Sequence, residues 1–267
     1  MADQKIAEEA GKKFTELVDI LDRLRGDNGC PWDREQDENT IMNYFLEEVY
    51  EAVEALCEGD TESLAEELGD VLLEVVFLAR IFRERNSFSI SEVLGGIIKK
   101  MIRRHPHVFG DKSCDSSQRV AEEWSRQKRN EKNRQSVFEG LVRYAPALLN
   151  AFQIGTKASS YGFDWNNASE AYRKIREESD ELQNAMAEND NDAIRHEIGD
   201  LLFAAANVSR LLGINPELAL KEANQRFIRR FNLMEKGLLS EGIDLNDATL
   251  DQMDKIWESV KRESGDS

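Results

Sequence analysis

The sequence predicts an all-α protein built from two related helical-bundle modules in tandem. Apolar residues recur at spacings of three and four along most of the chain, which is the periodicity of amphipathic helices. We find no convincing strand-like alternation of apolar and polar residues in either half. A pattern of four acidic residues also occurs twice, with each residue 130 positions after its counterpart. A repeat of that length indicates duplicated modules.

The first module is predicted to contain five helices. They cover residues 7–24, 40–56, 63–85, 90–104 and 120–132. A loop rich in turn-forming residues, 26–33, separates the first two helices, and Gly59 and Asp60 separate the second from the third. Pro106 ends the fourth helix because proline cannot continue the backbone hydrogen bonding.

The second module repeats this plan. Its predicted helices cover residues 146–159, 168–187, 192–212, 216–236 and 247–262. The loop 161–165 again contains Gly, Asp and Trp. The segment 129–136 is polar and charged, which is typical of a boundary between domains. We therefore divide the chain into domains 1–135 and 136–267.

Composition excludes several classes of partner. The net charge of −17 argues against nucleic-acid binding, which needs a cationic surface. Cys30, Cys57 and Cys114 form no CxxC pair, as expected in a reducing cytoplasm. The N-terminus lacks the basic start and apolar stretch of a signal peptide, and no apolar run is long enough to span a membrane. We expect a soluble cytoplasmic protein that binds neither nucleic acid nor membrane.

The repeated acidic pattern consists of two carboxylate pairs on consecutive helices. Within each pair the residues are three apart, so both side chains leave one helix face. The short connection makes the two helices antiparallel neighbours, so four carboxylates can converge. The first copy consists of Glu48, Glu51, Glu67 and Asp70. The second copy consists of Glu178, Glu181, Glu197 and Asp200.

Four converging carboxylates need a compensating cation, and oxygen ligands suit a hard ion such as Mg²⁺. The alternative is a solvated acidic helix face, because Glu-x-x-Glu is common in acidic chains. Two observations favour the metal. Glu197 and Asp200 lie within an apolar run, so we expect them to border a buried face. The acids also persist between the copies where neighbours differ, as where Glu74 is matched by Ala204.

Basic and aromatic residues of the second module could serve a phosphorylated ligand. Arg226 and Arg230 are four residues apart and share a helix face, as do Trp257 and Lys261. Lys174 precedes Glu178 by four residues, and its counterpart in the first module is Tyr44. Cations beside a carboxylate–metal cluster suit a polyphosphate, and tryptophan can pack against a base. The alternative for each is a surface ion pair or a core tryptophan.

These motifs resemble the MazG family of nucleoside triphosphate pyrophosphohydrolases. The family signature, Glu-Glu-x-x-Glu followed by Glu-x-x-Asp, is present at 47–51 with 67–70 and again at 177–181 with 197–200. Further matches lie at 29–33, 66–70, 103–109, 162–165 and 221–227. The resemblance extends from about residue 14 to about residue 262 and has the tandem form of bacterial MazG proteins.

The resemblance implies an all-α homodimer that uses Mg²⁺ to hydrolyse nucleoside triphosphates to monophosphates and pyrophosphate, mainly in its C-terminal module. It implies that the second acidic set holds the metal. It further implies that the nucleotide or its phosphates contact Lys174, Arg226, Arg230, Trp257 and Lys261. The sequence departs from the tandem relatives at Ala193, where they have a basic residue, although Arg195 lies close by.

The reaction we expect is attack by water near the α-phosphorus, with pyrophosphate leaving. Glu177 and Glu178 are both candidates to orient that water, and the sequence does not separate a metal ligand from a base. The competing hypothesis is a non-catalytic helical protein that senses a metal or a nucleotide. Release of pyrophosphate from a nucleoside triphosphate distinguishes the two hypotheses.

Overall fold

The computed structural model describes residues 2–110, 116, 119–120 and 136–263, and over these residues it contains helices and no strands. The all-α prediction is therefore confirmed. The chain divides into two compact units, Met1–Ser117 and Gln118–Ser267. Most of the predicted helix 120–132, and the N-terminal side of the predicted boundary at 135/136, lie outside the described residues. Within the described part, no helix is both long enough and apolar enough to cross a bilayer.

The described part of the first unit contains four long helices and two short ones. They are α1 (Ala2–Leu24), α2 (Pro31–Glu35), α3 (Glu38–Glu58), α4 (Thr61–Glu84), α5 (Ile90–Arg104) and α6 (Pro106–Phe109). The long helices agree with the prediction, although α1 begins five residues earlier. The sequence predicts only loop or turn at α2 and α6. Each of these begins with proline, whose fixed φ favours the first position of a helix.

Helices α3 and α4 pack against each other along an antiparallel hairpin. The turn between them is set by local chemistry. Gly59 adopts a left-handed conformation with φ 73°, and the Asp60 side chain accepts hydrogen bonds from the backbone N–H groups of Glu62 and Ser63. Beside this hairpin, α1 completes a core whose buried members are Leu21, Ile41, Val76, Phe77 and Ile81.

The second unit contains five described helices. They are α7 (Ala147–Ser159), α8 (Ala168–Glu188), α9 (Asn191–Leu211), α10 (Pro216–Ser240) and α11 (Leu250–Glu263). The hairpin of α8 and α9 repeats the hairpin of the first unit. Asn189 now supplies the left-handed residue, with φ 55°, and the Asp190 side chain caps α9. Asparagine is one of the few residues that tolerate this conformation, so the same turn forms without glycine.

A polar cluster on α9 of the second unit lies where α7 packs against that helix. Asn207 is buried, donates to the carbonyl oxygen of Phe203 at 3.1 Å and accepts from Arg210 Nε at 3.2 Å. Arg210 also pairs with Asp164 through hydrogen bonds of 3.0 and 2.5 Å, which fixes the loop before α8. A Cβ atom at Gly155 would lie only 2.2 Å from Asn207 Oδ1. The close approach of α7 therefore requires glycine at this position.

Candidate metal centre

The α8–α9 hairpin brings three carboxylates of the second acidic set together. One oxygen atom each from Glu178, Glu197 and Asp200 lie within 4.8 Å of one another. Glu178 is contributed by α8 and is buried, with 6% of its surface exposed. Glu197 is half-buried and Asp200 is exposed, so the cluster runs from the helix interface out to solvent. This is the convergence that the spacing predicts.

The fourth acid of the set, Glu181, stands beside this group of three. The pKa of Glu197 is raised, first by burial and then by the negative charge of Glu181, with Glu178 and Asp200 adding to the effect. A hydrogen bond between Glu181 and Glu197 acts in the same direction. Like charges held this close favour protonation unless a cation compensates them. The four acids therefore form one electrostatic unit.

Lys174 supplies a positive charge at the edge of this cluster. Its Nζ atom lies 2.8 Å from Glu177 Oε1 and 2.6 Å from Glu178 Oε1. These two hydrogen bonds, led by the one with Glu177, raise the pKa of Lys174. The structure thus brings together Lys174 and both of the glutamates that the sequence singles out as candidates to orient water.

The α3–α4 hairpin holds an equivalent cluster in the first unit. One oxygen each from Glu48, Glu67 and Asp70 lie within 4.8 Å of one another, and all three residues are half-buried. Burial followed by the charge of Glu51 raises the pKa of Glu48 and that of Glu67. Glu51 itself is exposed. Its charge acts on Glu48 and Glu67 as the charge of Glu181 acts on Glu197 in the second unit.

The first unit also contains a buried acid, Glu74, which lies outside the repeated acidic pattern. Glu74 follows Asp70 by four residues on α4 and has 8% of its surface exposed. Its Oε2 atom is buried and has no hydrogen-bond partner. Burial, followed by the charges of Glu48 and Asp70, raises the pKa of Glu74 to about 7. The spacing from Asp70 is the signal that could have identified it.

The chemistry of both clusters fits a hard divalent cation. Every side chain in the two groups of three offers a carboxylate oxygen, and Mg²⁺, Mn²⁺ and Ca²⁺ prefer such ligands. Burial first, and then repulsion among the carboxylates, raises the pKa values of Glu48 and Glu197, and a bound cation would relieve the repulsion. The geometry therefore supports the interpretation that favours a metal.

The sequence predicts that Glu197 and Asp200 border a buried helix face, and this prediction is wrong for the single chain. Exposed fractions are 45% for Ile198, 52% for Leu202 and 36% for Phe203. The buried residues of α9 begin one turn later, with Ala204, Ala206 and Asn207. The apolar run extends around more of the helix than the intramolecular interface covers, so sequence hydrophobicity alone overstates burial here.

The other residues that are predicted to contact the nucleotide lie on α10 and α11, which pack against each other. Arg226 and Arg230 are half-buried on α10. Trp257 of α11 packs against Phe227, with ring centroids 5.2 Å apart. Arg226 approaches Glu222 at 4.0 Å and Lys261 approaches Glu258 at 3.6 Å, so these two cations make ion pairs within their own helices. Phe227 belongs to the motif at 221–227, and nothing in the sequence pattern indicates its contact with Trp257.

Comparison with known proteins identifies the family. The sequence model of the MazG nucleotide pyrophosphohydrolase domain matches residues 36–109 and 167–235, and each segment contains one hairpin with its acidic cluster. The chain belongs to the MazG family. It is an enzyme of this hydrolase family, and the match in two segments agrees with the tandem helical organisation.

Two MazG relatives match over nearly their whole length. The nucleoside triphosphate pyrophosphohydrolase/pyrophosphatase MazG of Thermotoga maritima is 42% identical over 253 residues, which cover 95% of this chain and 97% of the relative. The nucleoside triphosphate pyrophosphohydrolase of Escherichia coli K12 is 38% identical over 256 residues, covering 94% and 97%. The uncharacterized protein YabN of Bacillus subtilis is 40% identical over 252 residues, which cover 93% of this chain but 52% of that protein.

Proposed function

We propose that this protein is a Mg²⁺-dependent nucleoside triphosphate pyrophosphohydrolase of the cytoplasm. It converts ribo- and deoxyribonucleoside triphosphates to monophosphates and pyrophosphate, in housekeeping of the nucleotide pool or in a stress response. The observation that carries the proposal is Lys174 paired with Glu177 and Glu178 at the edge of the carboxylate cluster, in a chain of the MazG family. This arrangement offers ligands for a cation and a positive charge for a phosphate in one place.

The acids of the C-terminal cluster are the proposed metal ligands. They are Glu178, Glu181, Glu197 and Asp200. Bound Mg²⁺ supplies charge neutralisation for the triphosphate and its leaving group. The chain contributes the fixed positions of the carboxylates, because the capped hairpin turn sets the register of α8 against α9. The equivalent acids of the N-terminal cluster, Glu48, Glu51, Glu67 and Asp70, are proposed to bind a cation as well.

The positive and aromatic residues are proposed to bind the nucleotide. Lys174 releases its contacts with Glu177 and Glu178 and binds a phosphate oxygen. Its Nζ atom lies 2.6 Å from Glu178 Oε1, at the edge of the carboxylate cluster. Arg226, Arg230 and Lys261 contribute further charge from α10 and α11, and Trp257 contributes an aromatic face next to Phe227. Such cations are needed because a protein of net charge −17 repels a triphosphate at longer range.

The proposed reaction is an in-line attack of water on the α-phosphorus. The bond between that phosphorus and the α–β bridging oxygen breaks, pyrophosphate leaves, and a proton of the water passes to a carboxylate. We assign Glu177 to orient the water, because Glu178 belongs to the tight group of three whereas Glu177 is exposed and bound to Lys174. In this assignment Glu178 binds the metal and does not orient the water.

Exposed apolar residues beside both clusters support a homodimer. Each acidic hairpin leaves large hydrophobic side chains uncovered in the single chain. Among them are Leu46, Leu68 and Leu72 in the first unit and Ile198, Leu202 and Phe203 in the second. Large apolar side chains exposed on the same hairpin are typical of an interface between subunits.

Replacement of the proposed ligands tests the function. Glu178→Gln and Asp200→Asn should each lower pyrophosphate release by roughly 100-fold or more, because each removes a negative charge from the proposed metal site. Glu188→Gln is the matched control, since Glu188 is an exposed acid at the end of the same helix as Glu178. The assay uses Mg²⁺ and a panel of ribo- and deoxyribonucleoside triphosphates.

Three outcomes would contradict the proposal. Near wild-type turnover in both ligand variants would refute the assignment of the site. Release of orthophosphate in place of pyrophosphate would indicate cleavage of the terminal group and a different reaction. Binding of Mg²⁺ and nucleotide without turnover by the wild-type protein would favour the alternative, a non-catalytic sensing protein.

A further inference from the structure

The two acidic hairpins differ at the position one turn before each cluster. In the second unit this position is Lys174, whose Nζ atom lies 2.6 Å from Glu178 Oε1. In the first unit the matching residue is Tyr44, which is half-buried and packs against the core. Tyr44 lies four residues before Glu48 on α3, so the two side chains share a helix face. The N-terminal cluster therefore has an aromatic ring where the C-terminal cluster has a cation.

Trp32 adds a second aromatic ring at this position. Its ring centroid lies 6.3 Å from that of Tyr44, and the two ring planes are tilted by 41°. Trp32 belongs to the short helix α2, and 56% of its surface is exposed. Four residues of helix, a rise of about 6 Å, separate Tyr44 from Glu48 of the acidic cluster. An exposed aromatic face therefore lies close to the carboxylates.

A buried arginine fixes the segment that carries Trp32. The side chain of Arg25 is only 6% exposed, and its Nε and Nη2 atoms donate to the carboxylate oxygens of Glu84 at 2.8 and 2.9 Å. Its Nη1 atom donates to the carbonyl oxygens of Asp33 and Gln36 at 2.5 and 3.0 Å. Gln36 Nε2 in turn donates to the carbonyl oxygen of Trp32 at 2.9 Å. Because these bonds hold the backbone of α2, a ligand that stacks on Trp32 orders little of the protein.

The chemistry of this surface suits a nucleoside phosphate. The base can stack on the exposed aromatic ring, and the phosphate can reach a cation held by the acids, with the ribose as the spacer between them. The apolar surface assigned to the proposed homodimer lies elsewhere on the hairpin. Leu46 follows Tyr44 by two residues, so it lies roughly 200° away around α3.

We propose that the N-terminal module contains a second nucleotide site, in which the base of a nucleoside phosphate stacks on Trp32 beside Tyr44. The phosphates reach the cation at the acidic cluster of the same hairpin. The inference rests on the proposed function in one respect, namely that the repeated acids bind cations. It goes further because it assigns binding of the base to residues outside the acidic pattern. In this module an aromatic ring binds the base, whereas Lys174 of the C-terminal module binds phosphate.

Nucleotide binding by the full-length protein tests the proposal. Isothermal titration calorimetry uses Mg²⁺ and a triphosphate analogue with a non-hydrolysable α–β linkage, in a Lys174→Tyr, Glu197→Gln background that disables the C-terminal site. This background should still bind the analogue. Adding Trp32→Leu should weaken binding by about 5- to 150-fold, the range expected when a stacked base loses its aromatic partner, and Trp32→Phe should weaken it by less than about threefold.

A control variant and a control ligand separate stacking from general effects. Tyr144→Leu removes an aromatic side chain of the second unit that is 99% exposed, and it should leave the affinity unchanged. Inorganic tripolyphosphate has no base, so Trp32→Leu should not weaken its binding. The analogue should also quench tryptophan fluorescence in the background, and Trp32→Phe should remove most of that quenching. Thermal melting by circular dichroism verifies that each variant is folded.

Four results would overturn the proposal. The first is a background that does not bind the analogue, and the second is equal quenching with and without Trp32. The third is equal weakening of analogue and tripolyphosphate by Trp32→Leu, which would mean that the substitution disturbs the whole cluster. The fourth is an unchanged affinity after Trp32→Leu. If sedimentation then showed a dissociated dimer, Trp32 would be assigned to a subunit contact.

Pyrophosphate release by the wild-type protein is measured separately, so that the two proposals can fail independently. Turnover together with nucleotide binding that does not depend on Trp32 would refute only the second nucleotide site. Binding that depends on Trp32 in a protein without turnover would support that site and refute the catalytic proposal.

Discussion

The N-terminal and C-terminal hairpins share one backbone plan and differ in the charges they carry. Both use a left-handed residue followed by a capping aspartate, and both gather three carboxylates within 4.8 Å. Yet Lys174 lies against Glu178 in the C-terminal hairpin, whereas its counterpart in the N-terminal hairpin is Tyr44, and Glu74 is buried one turn after Asp70. The comparison teaches that a duplicated hairpin can keep its turn and its carboxylates while the charged side chains around them change.

The largest effect expected from this comparison is on catalysis. Glu178→Gln should lower pyrophosphate release by roughly 100-fold or more, and Glu48→Gln should lower it by less than about threefold, because the proposed function places a phosphate-binding lysine, Lys174, beside the C-terminal ligands and the N-terminal cluster has Tyr44 at that position. Steady-state kinetics with one triphosphate substrate measures both. A larger loss from Glu48→Gln would reverse the proposed division of labour between the modules.

Replacing Lys174 by the residue at its matching N-terminal position should have the next largest effect on catalysis. Lys174→Tyr introduces the side chain found at the matching N-terminal position and removes the proposed charged hydrogen bond to phosphate. Since such bonds contribute about 1.5–3 kcal/mol, kcat/KM should fall by roughly 10- to 100-fold.

Lys236→Tyr, at an exposed position of α10, is the control for Lys174→Tyr. The control should retain wild-type kcat/KM, because Lys236 makes no proposed contact with substrate. An equal fall in both variants would assign the effect to surface charge in general and not to a contact of Lys174.

A stability difference between the modules follows from the contact at Gly155. Gly155→Ala places a Cβ atom 2.2 Å from Asn207 Oδ1 and 2.7 Å from Arg210 Nε, both of which are already engaged in hydrogen bonds. Overpacking of this kind should lower the free energy of unfolding by about 1–3 kcal/mol, measured by urea denaturation.

Gly95→Ala in the first unit is the matched control for Gly155→Ala. A Cβ atom at Gly95 would meet nothing within 4 Å, so this helical substitution should stabilise the protein by up to about 1 kcal/mol. If Gly155→Ala raised the free energy of unfolding as much as Gly95→Ala, α7 could not lie as close to α9 as the contact at Gly155 indicates.

The smallest expected effect concerns the ion pair of Arg25 with Glu84, which has a nitrogen–oxygen distance of 2.8 Å. The hydrogen bond from Arg25 lowers the pKa of Glu84, with further lowering from the charges of Arg25, Arg80 and Arg83. The stabilisation that ionised Glu84 contributes is therefore fully present above the pKa of this group in the unfolded chain, roughly 4.3. It is lost as the pH falls through the lower pKa that Glu84 has in the folded protein.

Glu84→Gln should accordingly lower the free energy of unfolding by about 1 kcal/mol at pH 7, a modest value because solvent reaches a side chain that is 35% exposed. The difference from wild type should shrink as the pH falls below roughly 4. Urea denaturation at pH 7 and pH 3 measures it, with Glu54→Gln as an exposed control. A difference that is unchanged at pH 3 would contradict the pKa argument.

Much of the fold could be predicted because its determinants are local. Amphipathic spacing identifies the long helices, and the aspartates Asp60 and Asp190 at the hairpin turns mark where the fourth and ninth helices begin. The proline-initiated segments Pro31–Glu35 and Pro106–Phe109 were missed because a single helical turn carries too little periodicity to distinguish it from a loop.

Within the sites, sequence by itself determined which acids recur and how they share helix faces, since the repeat and the three-residue spacing are properties of the chain alone. Only the tertiary structure decided that Glu74 is buried without a partner, that Lys174 reaches Glu178, and that Leu202 remains uncovered. Periodicity indicates the face on which a side chain lies. Burial and charge pairing depend on what packs against that face, and this is fixed by residues distant in the sequence.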